Sequence, residues 1–446
     1  MFDSLTNRID RRAFLKSALA IGGASALSAC VDLEGRVSAE EPRFPPGSEN
    51  LDDRPNRQHY WDRDVLTDMA GNTILPQHQL LLFFEYTGSI PPSEDERAQF
   101  EAAIQSIERA HQWGTAGDVG AQINEGLLFL IGYSPTYFDR FEESLPASID
   151  LPEPEAVLEA VGESPDKAEH VDAVMVLNAD FASMLLEVEQ ALLGERETVN
   201  AHEMDATFEG LFERVERRTG FVGEGVPHEE IDDDVADQID ENAPMSMGFQ
   251  SGFHDNLPHN DAVTFSEPPF RDGTTLMVSQ LSLDLASWYE RSESERVELM
   301  FSTDHTPEDV GNVGENLGGN SGITEEHVEA IEEHGEREGR IGHTAKAAAA
   351  RDAEFTPTIH RRSESIATDM VEPGVAGFNF TSVQASMDDF IAVRKAMNPD
   401  EYDADVPDEE HGIISFMEVT SRATFLVPPR QLRALPRPDP AVESYV

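Results

Sequence analysis

Basic residues are scarce in this chain of 446 residues, since 32 Lys and Arg stand against 87 Asp and Glu. Four of these bases are lysines: Lys16, Lys167, Lys346 and Lys395. The formal net charge of −55 would repel nucleic acid and anionic lipid headgroups, so neither is expected as a partner. The acids are spread over most segments, which is typical of proteins from extreme halophiles, where molar salt shortens repulsion to about 3 Å. A surface that binds polycations is the alternative interpretation.

Cysteine is represented by Cys30 alone. A single thiol excludes an internal disulfide and a cysteine metal site. Cys30 ends the stretch SALAIGGASALSAC, which follows RRAFLK, and this order over residues 1–30 resembles a twin-arginine export signal with a lipobox. The apolar run is too short and too rich in glycine for a membrane-spanning helix. The sequence therefore predicts twin-arginine export, lipidation at Cys30 and a place on the extracellular face of the membrane, held by the lipid anchor only; a small buried Cys30 is the alternative.

Hydrophobic periodicity is missing from the next segment, and it returns at about residue 76. Residues 31–75 are rich in Pro, Asn, Arg and acid, which predicts a disordered tether. Apolar runs such as HQLLLFFEYTG then alternate with amphipathic stretches such as SEDERAQFEAAIQSIERAH, where Ser93 and Glu96 have the spacing of a helix capping box. The pattern predicts an α+β fold with one domain at 76–225, a linker at 226–250, a second domain at 251–435 and a tail at 436–446.

Several familiar catalytic patterns are absent. The chain has no GxSxG motif, which leaves a serine hydrolase without support. The glycine-rich stretch GNVGENLGGNSG is not followed by Lys-Ser or Lys-Thr and predicts a loop rather than a phosphate site. His254 and His259 flank Asp255 in GFQSGFHDNLPHN without the spacing of a metal site, so non-haem metal binding is not expected there. Taken alone, Asp255 fits an ordinary turn.

The order of the segments after Asp255 is more informative. A glycine-loop aspartate, then DGTTLMVSQLSLDLASWYE, GHTAKAAAARD, TIHRRSES, GFNFTSVQASMDDFIAVRKAM and FLVPP resembles the C-terminal half of the dye-decolourising peroxidases. Upstream, HVDAVMVLNADFASMLLEVEQALL is similar to that family's strand and helix before its signature loop. The resemblance covers about residues 80–429. It implies two ferredoxin-like domains, with antiparallel sheets packed by helices in a dimeric α+β barrel-like arrangement, and haem b as cofactor.

The resemblance also implies roles for individual residues. His343 would be the axial haem ligand and Asp255 the distal acid, although Asn256 stands where the family motif has glycine. Arg361 would be the distal arginine, with Arg362 as the alternative because the register is uncertain. A neutral imidazole can bind haem iron, a carboxylate can move a peroxide proton, and an arginine can stabilise charge as the O–O bond breaks.

The predicted function is a haem-dependent peroxidase outside the cell. It would reduce hydrogen peroxide with an unknown one-electron donor, and a homo-oligomer is possible. Two alternatives stay open, because the motifs are divergent: a non-catalytic haem or tetrapyrrole binder at the cell surface, and a degenerate member of the family with an empty pocket.

Overall fold

The computed structural model describes residues 41–59, 61–118, 120–223, 235, 238–240, 242–366 and 376–440. The RRAFLK motif and Cys30 lie outside the described residues, so export and lipidation stay predictions. In the part of the chain that is described, no helix combines the length and the apolar character needed to cross a membrane.

Eight antiparallel strands form a closed barrel. In chain order they are β1 His78–Tyr86, β2 Leu128–Tyr133, β3 Ala173–Ala179, β4 Phe212–Phe221, β5 Thr274–Leu283, β6 His360–Ile366, β7 Gly377–Gln384 and β8 Met417–Val427. Around the barrel the order is β6-β7-β5-β8-β2-β3-β1-β4. The N-terminal and C-terminal halves each supply four adjacent strands. They meet where Leu426 pairs with Tyr133 and where Ser365 pairs with Phe221.

Both halves have the same topology, β-α-β-β-α-β at its simplest. In each half the strand order is second, third, first, fourth, which confirms the predicted pair of ferredoxin-like domains in an α+β fold. The helices are α1 Glu94–Ala110, α2 Pro135–Phe138, α3 Pro154–Ala160, α4 Ala182–Leu192, α5 Leu285–Glu290, α6 Glu293–Met300, α7 Pro307–Val310, α8 Glu325–Glu329, α9 Ile331–Glu338, α10 His343–Ala349 and α11 Met387–Lys395.

Strands β1, β2 and β3 read as largely apolar runs because both of their faces are buried. Successive side chains of β1 alternate between the barrel interior and the helix-covered outside. Leu81 and Phe83 belong to the cluster inside the barrel, whereas Leu80 and Leu82 pack with the helices outside it.

Helix α1 shows how local sequence fixes an outer element. Ser93 and Glu96 form the predicted capping box, which satisfies the first backbone N–H groups of the helix. Phe100, Ile104 and Ile107 then lie on one face and are fully buried against the sheet.

The prediction of a disordered tether over residues 31–75 is wrong for the described residues 41–59 and 61–75. Trp61 packs inside the barrel and Phe44 joins the N-terminal core, with 4% and 8% of their surfaces exposed. A short hairpin pairs Leu66–Thr67 with Thr73–Ile74. The segment has no period of its own because it is held by scattered anchors on other elements, and such anchors leave no repeating pattern in a sequence.

Candidate functional site

A large cavity lies in the C-terminal half, between the outer face of its strands and the helices that cover them. Its free space is about 1370 Å³, the open mouth included. Most of the lining is apolar, as in Met247, Phe253, Leu281, Phe378, Phe390 and Met417. The ionisable groups of the lining are all basic: His343, Arg361, Arg362, Arg394 and Arg422. No Asp or Glu is among the described lining residues, which stands out in a chain of net charge −55.

His343 is the first residue of α10 and lines this cavity. The preceding Gly342 allows the close approach of α10 to the end of α6, since a Cβ at Gly342 would lie 2.2 Å from the carbonyl oxygen of Phe301. Burial, with a smaller contribution from the charge of Arg361, lowers the pKa of His343 to about 3. The imidazole is therefore neutral near pH 7. Its Nδ1 is fully covered and has no hydrogen-bond partner among the described residues.

The two arginines of the RR pair lie on opposite faces of β6. Alternation along the strand puts Arg361 on the cavity side and Arg362 toward the barrel interior. The guanidinium of Arg362 stacks 4.3 Å from the ring centre of Trp61, inside the barrel. Burial, and next the nearby charge of Arg351, lower the pKa of Arg361, and no ion pair with an acid holds it among the described residues. Arg361 is therefore the better candidate for a group that acts within the cavity.

Arg394 and Arg422 also line the cavity, but a carboxylate neutralises them. Both donate to Glu163, with Nε of Arg394 and Nη2 of Arg422 each 2.8 Å from its Oε1. Burial alone would raise the pKa of Glu163, whereas hydrogen bonds and charge from these arginines lower it. A shared, ionised Glu163 therefore leaves Arg361 as the less compensated positive charge on the wall.

Asp255 does not lie on the cavity wall. Its side chain is 54% exposed and its carboxylate contacts Nδ1 of His254 at 2.9 Å. Its backbone N–H donates to the carbonyl of Gly319 at 2.9 Å, which joins this loop to the glycine-rich segment. The next residue, Asn256, does line the cavity and accepts a hydrogen bond from Arg351 at 2.8 Å. The structure thus brings His343 and Arg361 together around one cavity and leaves Asp255 outside it.

The hairpin at residues 66–74 supports the loop that carries Asp255. Asn72 accepts a hydrogen bond from the backbone N–H of His254 at 2.8 Å and donates to the carbonyl of Gly318 at 2.7 Å. Two loops that are far apart in sequence are joined through this one amide. The segment predicted to be a tether therefore belongs to the framework of the site.

The sequence prediction missed Arg394 and Arg422. A signal for Arg394 was present, because Met387, Phe390 and Arg394 share one face of a helix by their spacing of three and four residues. Arg422 begins the stretch RATFLV on β8, where a lone arginine in an apolar strand indicates a buried charge with a partner. Their shared partner, Glu163, is 259 residues from Arg422 in the chain, and no local pattern predicts such a pairing.

Comparisons with solved structures place the fold among the dye-decolourising peroxidases. A dye-decolorizing protein from V. cholerae is 13% identical, with 84% of this chain and 98% of that chain covered and a TM-score of 0.50. A variant of DypB from Rhodococcus jostii RHA1, solved in complex with heme, is 14% identical, with 81% of this chain and 96% of that chain covered and a TM-score of 0.50. The comparison with curated proteins gave no match. The chain belongs to a family of unknown function, DUF7405, whose model matches residues 76–429.

Proposed function

We propose that this protein is a haem-dependent peroxidase of the dye-decolourising type, which reduces hydrogen peroxide with a one-electron donor of unknown identity. One observation carries the proposal: a neutral histidine, His343, lines the same largely apolar cavity as Arg361, an arginine with no acid partner in the part of the chain that the structure describes. The fold shared with dye-decolourising peroxidases supports it, and the heme in the DypB complex belongs to that protein.

The described residues fit haem b. A neutral imidazole is the form of histidine that binds haem iron. The covered Nδ1 of His343 leaves Nε2 as the nitrogen for the metal. Apolar side chains of the lining suit the porphyrin faces. Haem, when bound, supplies the iron at which the peroxide O–O bond is broken.

The residues of this chain would then perform three tasks. His343 holds the iron, and the apolar walls of the cavity exclude water from it. Arg361 stabilises the negative charge that grows on the peroxide oxygens, and its guanidinium is effective because the surroundings are poor in water. Since Asp255 faces solvent, we propose that Arg361 would act on the peroxide without the help of Asp255.

A second function is favoured by one specific observation, the lack of an acid on the described wall. Without a group that moves the peroxide proton, the protein could bind haem or a related tetrapyrrole with little turnover. Haem titration followed by stopped-flow mixing with peroxide separates the two functions. Fast oxidation of the bound haem supports the peroxidase, whereas haem binding without fast oxidation supports the binder. A cavity that takes up no haem would contradict both.

The cellular setting is part of the proposal. The RRAFLK motif and Cys30 support export by the twin-arginine route and a lipid anchor on the outer face of the membrane. Twin-arginine export carries folded proteins, which suits a chain that binds its cofactor before it leaves the cell. Replacing both arginines of the motif should keep the protein inside the cell, and labelling with a radioactive lipid should be lost in Cys30→Ala. Normal export or normal labelling of these variants would contradict the setting.

A further inference from the structure

Lys346 is a buried lysine that the proposed chemistry does not use. It lies three residues after His343 on α10, and none of its surface is exposed. Its Nζ donates to the backbone carbonyls of Met397 at 2.6 Å and His411 at 2.7 Å. Burial, and next the charge of Arg394, lower the pKa of Lys346 to about 7. A buried amine held by two carbonyls, with no carboxylate partner among the described residues, is costly, so its position calls for a specific explanation.

The two carbonyls belong to two other walls of the cavity. Met397 follows α11, which supplies Phe390 and Arg394 to the lining. A positive group is favoured there, because the C-terminal end of a helix carries a partial negative charge. His411 precedes Ile413 and Ile414, which also line the cavity. One ammonium group therefore ties α10 to two walls.

Gly412 makes a second, independent contact with α10. A Cβ at Gly412 would lie 3.1 Å from both the Cα and the backbone N of His343. Its φ of +75° is also a conformation that side chains disfavour. On the other side of His343, the backbone N–H of Ile341 donates to Glu410 at 2.9 Å. The segment 410–412 thus contacts the chain before, at and after His343.

We infer that Lys346 and Gly412 are positioning residues, which together set the place of the His343 imidazole in the cavity. No hydrogen bond among the described residues holds Nδ1 of this ring, so its orientation depends on the backbone beneath it. Lys346 fixes α10 from one side and Gly412 sets its distance from the neighbouring segment. The inference rests on the proposed function for its meaning, since it concerns the residue proposed to bind haem.

The test compares two unrelated changes, each with a matched control. Lys346→Met keeps the length of the side chain and removes the ammonium, and Lys395→Met at the end of α11 is its control. Gly412→Ala adds a methyl group against His343. Gly339→Ala is its control, because Gly339 has a similar φ of +77° with no atom within 4 Å of its Cβ position. Circular dichroism first establishes which variants fold.

Three signals are then measured on the full chain: haem affinity, the iron–histidine stretching band in the resonance Raman spectrum, and the NMR signals of the His343 ring in the apoprotein. The ring signals are assigned by their loss in His343→Ala. We expect both test variants to weaken haem binding about 10-fold or more, to move the stretching band and to shift the ring signals. The two controls should match the wild type in all three.

The outcomes are distinct. A wild-type protein that binds no haem would overturn the proposed function, and the ring signals of the apoprotein would still decide this inference. Unchanged ring signals in both test variants would overturn the positioning role, as would equal shifts in Gly339→Ala. Loss of the fold in both test variants would also overturn it, because the contacts would then serve folding in general.

Discussion

The two halves of the barrel share one strand order but differ in what covers their outer faces. In the N-terminal half, aromatic rings fill the space between sheet and helices: Phe100 stacks on Phe208 at 5.2 Å, and Phe84 meets Phe208 edge-on at 5.8 Å. In the C-terminal half the corresponding space is the cavity. The strand face there carries Arg361 and Arg422 beside the rings of Phe378 and Phe380.

The difference shows how one fold can supply both a support and a site. Filled cores gain dispersion and hydrophobic stabilisation, and a void in the same place costs stability. We therefore expect a ligand to occupy the cavity lined by basic groups. We expect the N-terminal half to supply stability and the C-terminal half to supply binding.

The largest effect on stability should come from the N-terminal half, where aromatic rings fill the space between sheet and helices. Phe100→Ala should lower the free energy of unfolding by about 3–5 kcal/mol, because neighbours surround the ring on every side. Phe380→Ala, on the cavity wall, should cost less, about 1–2 kcal/mol, since part of this ring already faces empty space. Urea unfolding of the haem-free variants measures both values. Equal losses would mean that the two halves are packed alike.

The next effect concerns the reaction with peroxide in the cavity of the C-terminal half. Arg361→Leu should slow the reaction with peroxide by about 100-fold, or about 3 kcal/mol of barrier, because it removes charge stabilisation from a water-poor cavity. Asp255→Asn should change this rate by less than about 3-fold, since that carboxylate faces solvent. Stopped-flow absorbance of the haem-loaded variants decides. A slow Asp255→Asn with a fast Arg361→Leu would reverse these roles.

A smaller effect is the loss of protein stability in acid that is due to His111, a buried histidine of the N-terminal half. Burial lowers its pKa from 6.5 to about 3, so between these values the unfolded chain binds a proton that the folded chain does not. Stability therefore falls as the pH drops below 6.5, by about 1.4 kcal/mol per pH unit for this group, and is unaffected above it. His111→Gln should show a shallower loss of stability than the wild type between about pH 6.5 and about pH 5 in urea unfolding. Parallel pH profiles would show that His111 does not contribute.

Salt should change the thermal stability of both halves together, and it should distinguish between them less than the three preceding changes do. The acids are spread along the chain, so screening from about 0.2 M to about 3 M salt should raise the melting temperature in a single transition. Thermal melts followed by circular dichroism at several salt concentrations test this. A flat melting temperature would argue against a halophilic role for the acidity, and two transitions would show that the halves respond separately.

The fold could be predicted from the sequence because it depends on patterns within single elements and on the order of those elements along the chain. Apolar runs and the Ser93 capping box mark the elements, and their order matches a known family. The same order predicted roles for His343 and Arg361, which both line the cavity, and these roles stay predictions. The position of Asp255 could not be predicted, because contacts of its loop with Gly319 and Asn72, far away in the chain, leave no local pattern in the sequence. The role of residues 41–75 was also missed, since Trp61 and Asn72 act through partners elsewhere in the chain.

The central claim is that the cavity of the C-terminal half binds haem through His343. Its most direct test is a haem titration of the wild type, His343→Ala and His111→Ala, in which the Soret absorbance is recorded after each addition of haem. The two histidines are matched, since burial lowers both pKa values to about 3, but only His343 lines the cavity. We predict one haem per chain in the wild type and in His111→Ala, and loss of the axial-histidine spectrum in His343→Ala while the chain stays folded. Retention of that spectrum in His343→Ala would contradict the account.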